Sequence, residues 1–140
     1  MSRHGHRGYI ASRPIRGMDW PQHVQNLVVR DYAQRSGLAY LLSATEYAMP
    51  ACYMMLETVL AELPRLNGVI AFSLFMMPAA PARRREVYRR VLDAGADLHF
   101  ALENLALRDA ASIARVEDIF LVSDLVAAAA PPSAGLTGAA

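Results

Sequence analysis

Ser43, Thr45, Glu46 and Tyr47 sit together in "LLSATEYAMPACYMML" (41–56), between an apolar run and a helix-like stretch. A carboxylate beside hydroxyls and an apolar wall has its pKa raised and can pass a proton. Glu46 is therefore the candidate acid–base group, with Ser43 and Tyr47 as catalytic partners and Thr45 as a substrate contact. The competing reading is a loop whose Ser, Thr and Glu cap the following helix. Pro50, taken as the opening residue of that helix, would put its start beyond the reach of Thr45 and Glu46.

A second group of candidates lies elsewhere in the chain. Arg13 follows "GYIASR" (8–13), where a guanidinium can grip a phosphate or carboxylate with help from the helix that follows. Its alternative is a surface salt bridge; in the gripping reading, Glu46 or Glu103 is the expected partner in the absence of ligand. Ser12, Ser73, Glu103 and Asn104 complete the expected substrate contacts. Gln22, Gln25, Asn26 and Arg30 read as the solvated face of a helix. Cys52 at a helix start has thiolate potential, but the structural reading of a packed cysteine is preferred. His99 and Glu103 share a strand face yet stand about 13 Å apart along it, too far for a dyad. His4 and His6 in "HGH" would hold a metal only with ligands from elsewhere, so no metal is assigned. The motifs GxGxxG, GxxxxGK[ST], GxSxG and HExxH do not occur, so no cofactor is expected.

These residues need elements to position them. Four strand–helix pairs follow one another. The strands are "GYIASR" (8–13), "LAYLLSA" (38–44), "GVIAFSLF" (68–75) and "ADLHFALEN" (96–104). Val24, Leu27, Val28 and Tyr32 recur at helical spacing until Gly37, a C-cap. Leu56, Val59, Leu60 and Leu63 mark the second helix, and Val87, Val91 and Leu92 the third, with its arginines mostly outward. The fourth helix starts near Asp109 and buries Ile113, Val116, Ile119 and Phe120. The third strand is apolar on both faces, as a central parallel strand must be. The fourth alternates, which predicts an edge position with one face covered. Strands alternating with helices imply an α/β, three-layer, doubly wound sheet of about four parallel strands in order 2-1-3-4, of resolvase or flavodoxin type. Ligands in such sheets bind beyond the carboxyl ends of the strands, where the candidates above gather.

Bulk properties bound the function. At 140 residues the chain is expected to form one domain over 1–128, followed by an Ala/Pro/Gly tail, 129–140, without fixed structure. A net charge of +1 argues against a dedicated nucleic-acid partner. One cysteine and a start, "MSRHGHRGYIASRP", without a signal-peptide core fit a cytoplasmic location. The longest apolar stretch is too short to span a membrane. Met76, Met77 and the alanine-rich last helix are expected to offer a surface for association, most simply as a homo-oligomer.

Several strings carry a resemblance. "RGYIASRP", "PQHVQNLVVRDYAQRSGL", "LLSATEYAMPACYMMLETVL", "ELPRLNGVIAFSLFMMP" and "LHFALENL" resemble the bacterial sporadic carbohydrate cluster proteins, over roughly residues 7 to 126. That resemblance implies a setting in sugar or surface-polysaccharide biosynthesis. "GYIASR", "GVIAFSLF" and "YRRVLDAGADLHFALENL" are also similar to the catalytic domain of resolvase-type serine recombinases. The aspartate and two arginines expected there after the third strand are replaced by "LFMMP", and Ser12 precedes Arg13, so the resemblance supports the fold and not DNA cleavage. The resulting expectation is an enzyme acting on a small anionic sugar derivative by metal-independent isomerisation, epimerisation or elimination. The alternative is a non-catalytic binding or assembly subunit on a recombinase-like scaffold.

Overall fold

Strand β3 (Gly68–Ala71) is buried at every position, as its unbroken apolar sequence requires. In the computed structural model, which describes residues 3–129, it pairs in parallel with β1 (His6–Ala11) on one side and β4 (Asp97–Phe100) on the other. Strand β2 (Tyr40–Glu46) pairs in parallel with the outer side of β1. The expected order 2-1-3-4 is present and is extended by a fifth strand, β5 (Leu105–Leu107), giving β2-β1-β3-β4-β5. The expected tail lies, from residue 130 onward, outside the described residues.

The fifth strand corrects the reading of 96–104 as one edge strand. Strand β4 stops at Phe100, and the chain reverses through Ala101–Asn104, where Asn104 takes a left-handed φ of 56°. Asparagine tolerates that conformation better than most residues. The chain then returns antiparallel, with Phe100 opposite Leu105 and Leu98 opposite Leu107. Strand β4 is thus internal, and Leu98, His99 and Phe100 are all buried.

Helices α1 (Gln22–Arg35), α2 (Met54–Ala61) and α3 (Pro81–Asp93) connect the parallel strands. Gly37, with φ +69°, follows the end of α1 as its apolar spacing predicts. Helix α2 begins at Met54 and not at Pro50, a shift that decides the role of Glu46. The apolar run 68–75 also ends early as a strand: after Ala71 it passes into a tight turn at Leu74–Met76. Met76 and Met77 are buried there, so they offer no partner surface. Arg84 is the exception among the outward arginines of α3; it is buried and donates to the carbonyls of Pro78 and Ala79.

The chain divides into two compact units, Met1–Asp109 and Ala110–Ala140. The second is described as one helix, α4 (Ala110–Ala129), in which Val116 and Phe120 are buried. Ile113 and Ile119 are half-buried. Leu121, Val122, Leu125 and Val126 are 57 to 64 % exposed. No helix among the described residues is long and apolar enough to cross a membrane.

Candidate functional site

Glu46 is the last residue of β2, is fully buried, and points at the start of α2. One carboxylate oxygen, Oε1, accepts the Tyr9 hydroxyl at 2.6 Å and the backbone N–H of Leu56 at 3.0 Å. The other accepts the N–H groups of Met55, at 3.0 Å, and Tyr47, at 3.1 Å. Met55 and Leu56 lie in the first turn of α2, whose N–H groups have no partner within the helix. The N-cap residue, Tyr53, makes no side-chain cap; Glu46 caps the helix from the neighbouring strand, at the positive end of the helix dipole.

The electrostatics follow. Burial opposes ionisation of Glu46, but the Tyr9 hydroxyl and the Met55, Leu56 and Tyr47 N–H groups outweigh it and hold the pKa below the ordinary carboxylate value. This reverses the expectation of a raised pKa. Tyr9 moves the opposite way: burial first, then its bond to the Glu46 carboxylate, pushes its pKa far up, so it remains a neutral donor.

The neighbours expected to work with Glu46 face elsewhere. The Ser43 hydroxyl is bonded to Tyr40 Oη at 2.8 Å, and that phenol also reaches Asn26 of α1. Ser43 stands three residue steps before Glu46 along β2, about 10 Å of chain. The Tyr47 side chain is exposed, and Thr45 is half-buried in β2. Cys52 precedes α2 and brings its sulfur only to 4.0 Å from Glu46 Oε2.

Arg13 takes neither of its expected carboxylate partners. It donates to the carbonyls of Tyr47, Met49 and Cys52 at 3.1, 3.0 and 2.8 Å, and its guanidinium lies over the Tyr53 ring. The arginine therefore clamps the β2–α2 loop onto the end of β1. Ser12 is exposed; its N–H donates to the Glu46 carbonyl and its hydroxyl accepts from Gln22 at 3.3 Å. Ser73 is buried and donates to Glu103 Oε2 at 2.7 Å, while the Leu74 N–H donates to Glu103 Oε1, also at 2.7 Å. Asn104 is exposed in the β4–β5 turn. The structure thus brings Ser73 and Glu103 together, and places Arg13 against the loop after Glu46, but it joins neither pair to Ser43.

Two further groups take partners that the sequence did not disclose. Gln25, expected on the solvated face of α1, is fully buried, and its amide bonds both the N–H and the C=O of Ala11 and also the Trp20 carbonyl. It finishes the last backbone pair of β1. The amide type and its place in the first turn of α1 were the available signals.

At the opposite, amino ends of the strands, His6, Asp97 and His99 converge from β1 and β4. His6 Nε2 lies 2.8 Å and His99 Nε2 3.0 Å from Asp97 Oδ1. Burial opposes the charge on Asp97, but the close approach of His6 and then of His99 holds its pKa well below the usual range. These are the described residues with the donor types and spacing to hold a metal ion.

Comparison with known proteins reaches the fold. No family model matches the chain, and no curated protein matches it, so the resemblance to the carbohydrate cluster proteins stands without support from either. Among solved structures, the chain is similar to the N-terminal catalytic domain of TP901-1 integrase, with a TM-score of 0.58 over 85 % of this chain and 95 % of that one. Sequence identity is 12 %, so the likeness shows the fold alone: an α/β layered sheet arranged as in that domain.

Proposed function

We propose that the chain works as a non-catalytic binding or assembly module on a recombinase-like scaffold. The observation that carries this reading is the use already made of its charged groups. Glu46 spends both oxygens on Tyr9 and the start of α2, Glu103 spends both on Ser73 and Leu74, and Arg13 holds three loop carbonyls. A general acid or base needs a free face toward a substrate proton. The exposed apolar stripe Leu121, Val122, Leu125 and Val126 repeats at one and four residues along one face of α4 and suits a second copy of the chain.

The reading as an enzyme of carbohydrate biosynthesis acting on an anionic sugar derivative is the weaker one. It is favoured by the exposed Ser12 hydroxyl beside Gln22 at the end of β1. Sedimentation equilibrium separates the two when combined with thermal melting against sugar phosphates. The module reading expects a self-associating wild-type chain, a monomeric but folded Leu121→Glu, Leu125→Glu variant, and no ligand response. A monomer at every concentration, or a sugar-phosphate stabilisation that Arg13→Gln removes, would overturn it.

A further inference from the structure

We infer that His6, Asp97 and His99 form a binding site for one divalent transition-metal ion, independently of the module reading above. Their ligand atoms, two imidazole nitrogens and a carboxylate oxygen, all lie within 4.8 Å of one another. Two histidines and a carboxylate suit zinc-like and other imidazole-preferring divalent ions. Bonds of about 2.0–2.1 Å to a tetrahedral centre place ligand atoms roughly 3.3 Å apart. The observed separations of 2.8 and 3.0 Å from Asp97 Oδ1 would open by only a few tenths of an ångström.

The independent sign of a ligand is His99 Nε2. The ring is fully buried, and this nitrogen meets no hydrogen-bond partner in good geometry, although it lies 3.0 Å from Asp97 Oδ1. The other nitrogen, Nδ1, sits 2.7 Å from the Tyr32 hydroxyl. If Nδ1 carries the hydrogen and donates it to Tyr32, Nε2 aims a bare lone pair at a carboxylate oxygen. If Nε2 carries it, the buried N–H has only the Asp97 carboxylate beside it and no well-formed hydrogen bond. A cation between the three atoms resolves both difficulties. The Nδ1–H bond to Tyr32 then takes the place of the outer contact that ligating histidines make to a carboxylate, carbonyl or water.

The backbone between these residues leaves room for the arrangement. His6, Gly68 and Asp97 stand in register across β1, β3 and β4. A Cβ on Gly68 would clash with Asp97 Oδ1 and lie 2.9 Å from His6 Cδ2. The glycine lets two side chains meet over the middle strand. The Asp97 side chain is 26 % exposed, against 6 % and 0 % for the two histidines, so an ion enters from the carboxylate side. Arg108 Nε is 3.8 Å from the other Asp97 oxygen; its exposure screens its repulsion of an incoming cation. Three protein ligands leave a fourth position for water.

The test uses the untagged chain, stripped with chelator and titrated with Zn²⁺ alone by calorimetry and thermal melting, with Co²⁺ as a spectroscopic reporter. The site predicts one Zn²⁺ per chain, a melting temperature raised by several degrees, and visible Co²⁺ bands of a histidine-ligated centre. Asp97→Asn should abolish these responses. Tyr32→Phe, which keeps the ring, should weaken Zn²⁺ binding by about 10- to 100-fold, the usual effect of losing an outer-sphere partner. No heat and no thermal shift in the wild-type chain would overturn the assignment. So would Zn²⁺ binding that Asp97→Asn and Tyr32→Phe leave unchanged, because the ion would then sit elsewhere.

Discussion

Replacing Glu46 by glutamine should destabilise the protein, although the sequence alone suggests that it would cost activity and not stability. The substitution keeps the shape and removes the charge. Glutamine has one acceptor oxygen, whereas Glu46 satisfies four donors: Tyr9 Oη and the N–H groups of Tyr47, Met55 and Leu56. The cheapest placement puts the amide NH₂ where Oε1 was, because Tyr9 can rotate its hydroxyl and accept. The Leu56 N–H then faces another donor in a buried site. An unsatisfied buried group costs about 1–3 kcal/mol, and hydrogen bonds to a charged group contribute about 1.5–3 kcal/mol, so a loss of roughly 2–4 kcal/mol is expected. At about 4 °C per kcal/mol for a chain of this size, that is on the order of 8–16 °C in Tm. Circular dichroism melts of both proteins measure it.

A pH series gives the same experiment a second arm. The folded pKa of Glu46 is depressed, so its contribution is present above the unfolded carboxylate pKa and is lost as pH falls through the folded one. The gap between wild type and Glu46→Gln should be full at neutral pH and narrow on acidification below the ordinary carboxylate range. A variant melting within a degree or two of wild type, or a gap indifferent to acid, would refute the capping argument.

Gln25→Leu should cost roughly 2–4 kcal/mol in urea unfolding, since it strands the N–H and C=O of Ala11 and the Trp20 carbonyl in or near the core; an unchanged midpoint would show that water replaces the amide. DNA should be a poor partner: with net charge +1, non-specific affinity at physiological salt is expected to be weaker than the roughly 10⁻⁴–10⁻⁶ M of typical binders. Supercoiled plasmid should also remain intact, and nicking through a covalent Ser12 adduct would contradict this.

Much of the fold was legible because its signals are local and periodic. The apolar run at 68–75 announced a central strand, which 68–71 forms, and strand–helix alternation with right-handed crossovers led to the order β2-β1-β3-β4. The missed β5 illustrates the limit. It has only three residues, too few to show a period of their own, and the reversal before it rests on a single left-handed Asn104. Periodicity cannot tell a strand that continues from one that turns back.

The candidate site was legible in its residue types and not in their roles. The sequence by itself determined that Ser, Thr, Glu and Tyr stand at the end of a strand, that an arginine follows the first strand, and that histidines and an aspartate exist to be placed. Only the tertiary structure decided that Glu46 caps helix residues nine and ten positions ahead, and that Gln25 closes β1 across fourteen. It also brought His6 to Asp97 across ninety-one positions. The physical reason is common to all three. A buried carboxylate, amide or imidazole takes its pKa and its role from the donors and charges packed around it, and here those partners arrive from other strands and helices. Residue identity fixes what a group can do; its neighbours in space select which of those things it does.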